Sequence, residues 1–188
     1  MAGHSVTALT RSPEKLGLQH LSLKIIHGDI QEGEVVEQAV AGVEAVISAL
    51  GPTQNRPAFE ISKGMENILA AMKTCGVRRL VISVGAGVGD PNDSPTPISR
   101  LMVVLLKLFS RWVYEDMLRT VDLVRASHLD WIIVRVPMLT AEPKSGEVRV
   151  GWVGKGVGAR LARADLAEFM LRQIDADAYF RQAPAISN

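Results

Sequence analysis

The chain has 188 residues, 47% hydrophobic and 22% charged, a composition that suits one compact α/β domain with a full core. With 21 basic against 20 acidic residues its formal net charge is +1. That gives no electrostatic argument for nucleic acid or an anionic membrane, both of which favour a concentrated basic field. Cys75 stands alone, which excludes an intrachain disulfide or a multi-cysteine metal site and suits a reducing compartment.

The segment Met1 to Lys15 has no apolar block of the length a secretory signal requires. The greasiest run, LMVVLL (101–106), ends at Lys107 and falls far short of the roughly 20 residues that span a bilayer. The expectation is a cytoplasmic protein.

In chain order, SVTALT (5–10) alternates as a strand does, and SPEKL (12–16) starts a short helix with Ser12 as N-cap and Pro13 at the first helical position. LKIIHGDI (23–30) is a second strand closing on Gly28-Asp29. EGEVVEQAV (32–40) has helical spacing, and EAVISALG (44–51) reads as a buried strand running into Gly51-Pro52. ISKGMENILAAMKTCGV (61–77) is an amphipathic helix with Ile61, Met65, Ile68, Leu69 and Met72 on its apolar face and Gly76 as C-cap. RRLVISVGAG (78–87) is a strand with a glycine-rich exit. A Pro-rich loop, DPNDSPTP (90–97), then leads into a long helical stretch broken near Ser110. LDWIIVRV (129–136) is the last strand in this reading and RADLAEFMLRQI (163–174) the last helix.

Alternation of this kind predicts a doubly wound, mostly parallel sheet with helices on both faces, in one domain spanning 1–188. Ligands of such sheets bind outside the carboxyl ends of the strands, where small residues let backbone approach.

Six stretches, AGHSVTALTRSPEKL, LKIIHGDI, GVEAVISALG, GVRRLVISVGAG, SHLDWIIVRVPMLT and RADLAEFMLRQI, together resemble the NmrA-like, atypical short-chain dehydrogenase/reductase family. Its members include NAD(P)H-binding proteins related to biliverdin IXβ/flavin reductase. The resemblance implies a Rossmann-like fold. It also implies that a first strand and a glycine-rich phosphate turn, roughly 20 residues, precede the residue numbered 1. Without that strand, the usual 3-2-1-4-5-6 order has a gap at its centre and strand edges in need of a partner.

Arg11 follows the strand over 5–10, which the resemblance makes the second of the fold, where an Arg accommodates the 2′-phosphate of NADP, its planar fork of donors matching phosphate oxygens. The other reading is an ordinary solvated Arg beside a turn. The resemblance favours NADP, with Ser12 adding a hydroxyl or an N–H. By the same resemblance Asp29 and Ile30 border the adenine, although an Asp at that point also suits a turn or N-cap. Ala49, Leu50 and Gly51 fall where the cofactor ribose would lie against backbone. Ser83 lies toward the nicotinamide end, and RVPMLT (135–140) passes near it with Pro137 at the turn and Met138 as apolar surface.

Related reductases carry a Tyr with a Lys four residues later. Here Tyr114 is followed at that spacing by Leu118 and Tyr179 by Ala183, so that proton donor is absent and no catalytic residue is assigned. Tyr114, Glu115 and Asp116 read as helix surface. Hydride chemistry survives this absence, because a nicotinamide carries the reducing equivalent and the protein need only orient it. The apolar pattern LMVVLLKLF suits a core helix or a dimer surface better than a cover over a flat substrate. His4, His20, His27 and His128 are scattered without metal-ligand spacing, and GKGVG (154–158) reads as a surface turn. Two classes remain: an NADPH-dependent reductase of a flavin-, quinone- or tetrapyrrole-like acceptor, and a non-catalytic NADP-sensing protein with a regulatory protein partner.

Overall fold

The computed structural model describes residues 3–52 and 54–188. The apolar runs form β1 (Val6–Thr10), β2 (Leu23–His27), β3 (Ala45–Ser48), β4 (Arg79–Gly85) and β5 (Asp130–Val136). The helices are α1 (Gly33–Val40), α2 (Glu60–Cys75), α3 (Pro97–Phe109), α4 (Arg111–Ala126) and α5 (Arg163–Arg172). Four further strands follow β5: β6 (Met138–Thr140), β7 (Arg149–Gly151), β8 (Arg160–Ala162) and β9 (Ala185–Ser187). Strands of three residues are too short to display a period of two, which is why LDWIIVRV looks like the last one.

The main sheet has the order β3-β4-β5-β9-β7, parallel except for β7, which runs antiparallel to β9. β4 and β5 are buried on both faces and sort their side chains by alternation. Leu80, Ile82 and Val84 of β4, with Trp131 and Ile133 of β5, join Met65, Ile68 and Met72 of α2 and Val121 and Val124 of α4. Val81, Ile132, Val134 and Val136 meet Leu166, Phe169 and Met170 of α5 and Ile186 of β9 on the other face. The result is the doubly wound, Rossmann-like arrangement that the alternation predicts.

β1 and β2 form a separate parallel pair, and β6 pairs with β8. Among the described residues no strand lies between β1 and β3, so each pairs on one side only. The consequence is visible in exposure: Val6 is 49% and Ile47 39% accessible. The expectation of a buried strand over 44–51 is corrected accordingly: β3 is four residues long and sits on an open edge.

Three other expectations change. The helix over 12–16 is a single 3-10 turn, Pro13–Lys15, and the Ser12 side chain makes no capping bond to it. Asp116 is not helix surface. It is 5% exposed, and its carboxylate accepts from the N–H groups of Ile61 (3.1 Å) and Ser62 (2.9 Å). It therefore caps α2, whose own N-cap residue Phe59 lies in the left-handed region (φ 52°) and supplies no side-chain cap. Finally, α3 is not a core helix, since none of its residues is buried. The break at Ser110 and the left-handed Gly76 C-cap (φ 71°) are as predicted.

One buried charge ties the second half together. Arg135 of β5 is 0% exposed and forks onto Asp93, Nη1 to Oδ2 at 2.6 Å and Nη2 to Oδ1 at 2.7 Å. It also donates to the carbonyls of Ala183 (2.7 Å) and Val88 (3.1 Å). Asp93 in turn accepts from the N–H groups of Asp90 (2.8 Å) and Val153 (2.9 Å). Burial pushes the Asp93 carboxyl up, but the hydrogen bonds and charge of Arg135 with these N–H groups outweigh it, and it sits below its ordinary value. Gly154 belongs to the same joint: its φ is +84°, and an added Cβ would collide with the Ser94 carbonyl. The GKGVG segment is thus a turn packed backbone to backbone against the Pro-rich loop.

Asp93→Ala should lower stability by about 3–5 kcal/mol in chemical denaturation, because it strands the buried Arg135 charge. Asp165 gives the acid limb. The Ser145 N–H, followed by the Gly146 N–H, the Asn188 amide and the Ser145 hydroxyl, holds its carboxyl at about 2 against the upward push of burial. A depressed folded value means stability present above the unfolded value and lost as pH falls toward 2. Wild type and Asp165→Asn should therefore differ in melting temperature at neutral pH and converge as pH drops from about 4 to about 2.

Candidate functional site

The carboxyl ends of β1, β2 and β3 converge on one crevice of about 260 Å³, lined by Leu9 to Ser12, Gly28 to Ile30, Leu50, Gly51, Glu60 and Ile61. The three strands therefore run in the same direction, with the crevice mouth where an open α/β sheet binds ligands. Six residues expected from the sequence line it together: Arg11, Ser12, Asp29, Ile30, Leu50 and Gly51. Ala49 is exposed beside it without lining it.

Arg11 reaches from the end of β1 with its side chain 57% exposed, Nη1 lying 3.5 Å from Asp29 Oδ2. Asp29 combines both readings made of it. One carboxylate oxygen accepts from the Gln31 N–H (2.9 Å) as a turn Asp does, and the other faces Arg11. Its own N–H donates to Glu32 Oε1 (3.0 Å) while the Glu32 N–H donates to the Asp29 carbonyl (3.0 Å), closing the turn that leads into α1. Ser12 donates its N–H to the Thr10 hydroxyl (3.1 Å), which bends the chain out of β1.

Ile30 forms the wall against α2. Its carbonyl accepts from Asn67 Nδ2 (2.8 Å), and its side chain occupies the space a Cβ at Gly64 would need. Gly64, Glu60 and Ile61 are site-forming residues that sequence reasoning missed. Only the small residue inside ISKGMENILAAM signalled a close approach.

The nicotinamide-end residues stand apart from this crevice. Ser83 lies in β4, one residue past the Ser48–Ile82 pair, and is matched across to Val134. Pro137 separates β5 from β6, and Met138, 57% exposed, pairs with Arg160 of β8. With neighbouring strands about 4.8 Å apart, these positions continue along the same carboxyl edge, Ser83 one strand spacing from β3 and the β5 exit at Pro137 two.

The crevice falls just under the range of about 300–1,000 Å³ usual for a whole ligand, so its size suits one end of a dinucleotide. It offers a planar cation at the mouth, small residues at the β3 exit and an apolar wall. These fit an adenosine carrying a phosphate. The α2 N–H groups of Ile61 and Ser62 are already taken by Asp116, so α2 holds no diphosphate with them. Among the described residues, no group of three His, Cys, Asp or Glu side chains is placed to hold a metal, and no helix is long and apolar enough to cross a membrane.

Comparison with known proteins identifies the family and the fold. Residues 1–177 match the family described as NAD(P)H-binding. The fold is similar to the oxidoreductase YlbE of Lactococcus lactis, with a TM-score of 0.80 and 16% identity over 100% of this chain and 81% of that one. It is also similar to a short-chain dehydrogenase/reductase of Veillonella parvula in complex with NADP (TM-score 0.75, 19% identity, 98% and 82% covered). ChuY of Escherichia coli, an anaerobillin reductase, is a third (TM-score 0.70, 19% identity, 97% and 84% covered).

Gly64→Ala should force Ile30 off the α2 surface, at a cost of about 1–3 kcal/mol in a denaturant titration. Adding Ile30→Ala should return part of that loss, since most of the clash is with the outer carbons of Ile30.

Proposed function

The chain belongs to the NAD(P)H-binding family, and we propose that it is an NmrA-like, atypical short-chain dehydrogenase/reductase acting as an NADP(H)-dependent reductase of a flavin-, quinone- or tetrapyrrole-like acceptor. The observation that carries the choice of NADP is Arg11, a half-exposed guanidinium at the mouth of the crevice with Asp29 beside it. A carboxylate 3.5 Å away keeps the guanidinium aimed across the mouth, and a ribose phosphate offers the stronger bidentate partner. Asp29 also supplies an acceptor for an exocyclic amine, while Ile30 and Leu50 cover an aromatic base.

When bound, the cofactor supplies a hydride. The protein's part is to fix the adenosine end with Arg11 and Asp29 and to let the chain of the cofactor run past Gly51 toward Ser83, Pro137 and Met138. Neither tyrosine is a proton donor of the Tyr–Lys kind, and Tyr179 is instead packed on Phe169, ring centroids 5.9 Å apart. An acceptor that takes its proton from solvent suits such a site, as flavins, quinones and linear tetrapyrroles do. The same missing proton donor is equally compatible with a second reading, in which bound NADP sets affinity for a partner protein without turnover.

Fluorescence titration with NADPH and NADH tests the reading. Arg11→Ala should lose about tenfold or more in NADPH affinity and leave NADH affinity nearly unchanged, a difference of one phosphate contact. Equal loss for both cofactors would refute the assignment of Arg11 to the 2′-phosphate. NADPH oxidation with FMN or a quinone then supports the reductase, and tight binding without oxidation supports the sensor.

A further inference from the structure

The largest feature that the cofactor site leaves unused is α3. Its sequence, PISRLMVVLLKLF, contains nine aliphatic or aromatic residues after Pro97, yet none of its thirteen residues is buried. On a helical wheel Leu106, Val103 and Ser99 face the body of the protein, with Leu106 against Gly87. Ile98, Leu101, Met102, Leu105, Leu108 and Phe109 form a broad arc turned away from it. Ile98, Phe109 and Leu108 are 75%, 74% and 70% exposed. With Val104, these side chains present on the order of 900 Å², against about 300–600 Å² for the largest apolar patch of a typical monomer.

This face is held rigidly. At one end Asp93 and Asp90 pin the preceding loop to Arg135 of β5 and Arg125 of α4, and Thr96 caps the helix by accepting from Ser99 N–H. At the other end Asn55 donates to the Phe109 carbonyl (2.9 Å) and accepts from Trp112 N–H (3.2 Å). A helix pinned at both ends with its apolar arc outward is built to receive something.

Charge selects the occupant. The stretch 94–112 contains Arg100, Lys107 and Arg111 and no Asp or Glu. Glu115 takes up Arg111 (2.7 Å). Arg100 and Lys107, seven residues apart, remain as a strip along one border of the apolar arc, with Lys107 Nζ 5.1 Å above the Tyr114 ring. A second copy, pairing the same face with itself, would bring these cations together with no carboxylate on α3 to answer them. An anionic bilayer answers both properties at once, taking the apolar arc below the headgroups and the cations at their level. At 13 residues the helix is about 20 Å long, so it lies in the plane of the surface and does not span it.

We propose that α3 is a membrane-surface anchor that docks this protein on anionic phospholipid bilayers through Ile98, Leu101, Met102, Leu105, Leu108 and Phe109, with Arg100 and Lys107 at the headgroups. This inference is independent of the cofactor assignment.

The test is flotation of the purified chain with vesicles of phosphatidylcholine alone or mixed with phosphatidylglycerol, at low and high salt. Wild type should float with the mixed vesicles, about tenfold more weakly with phosphatidylcholine alone, and more weakly as salt screens the headgroups. Leu101→Glu with Leu108→Glu should abolish binding, and Arg100→Ala with Lys107→Ala should reduce it about tenfold. All four positions are exposed, so circular dichroism and the melting temperature should match wild type. No flotation of a folded wild type, or flotation indifferent to these substitutions, would overturn the proposal. So would a dimer in light scattering that dissociates on Leu101→Glu with Leu108→Glu, which would give the face to a second copy.

Discussion

A guanidinium with no exposed surface cannot shed its proton, so whatever surrounds Arg135 has to answer its charge and its donors in place. Asp93 answers the charge, and the carbonyls of Val88 and Ala183 take donors that remain. Those partners come from the exit of β4, from the Pro-rich loop and from the segment entering β9. Trp152 adds its ring 5.7 Å from the guanidinium carbon. One side chain near the end of β5 thereby ties the β4 exit and the adjoining Pro-rich loop to the segment entering β9, about 90 residues later. β9 itself pairs with β5 through a single register position, Arg135 with Ala185. The second half of the domain is organised around a charge and not around its sheet alone.

The first half depends on helix packing. No strand among the described residues bridges β1 and β3, so nothing in the sheet sets the distance between Arg11 and Gly51. What sets it is α2. Gly64 lets Ile30 close on the helix, Asn67 holds the Ile30 carbonyl, and Asp116 of α4 fixes the N-terminal turn of α2 in the crevice wall. The crevice is therefore a product of packing between α2 and the β2 exit, with the strands supplying its residues. This explains why the crevice is formed while the positions around Ser83 and Pro137 follow the sheet edge without joining it.

The alternation of apolar runs made the sheet and its direction legible, because each long strand or helix buries a face whose period is written in its own residues, and the family resemblance added six of the positions that line the crevice. The features that escaped are non-local. Asp116 carries no local mark of a cap, since the N–H groups it serves lie 54 and 55 residues earlier. Arg135 looks like the polar member of an alternating strand, and its partner Asp93 like one more acid in a turn-rich loop. The pattern LMVVLLKLF is the same whether its arc faces a core or the outside, because amphipathicity records that a face is apolar and not what covers it. Net charge has the same blind spot: +1 over the whole chain is compatible with a segment from 94 to 112 that carries only cations.

These dependencies converge on the loop between β3 and α2. Gly51, at its start, lines the crevice, and Asn55, in its middle, holds the end of α3 and the start of α4. Glu60, at its end, returns to the crevice wall and pairs with Arg56. Phe59 is held in a left-handed conformation between them, edge-on to Trp112 and beneath the Arg119 guanidinium. A non-glycine residue keeps that backbone only when its surroundings over-determine it, and here α4 supplies those surroundings. The segment that shapes the mouth of the crevice is thus the one that seats the exposed apolar helix.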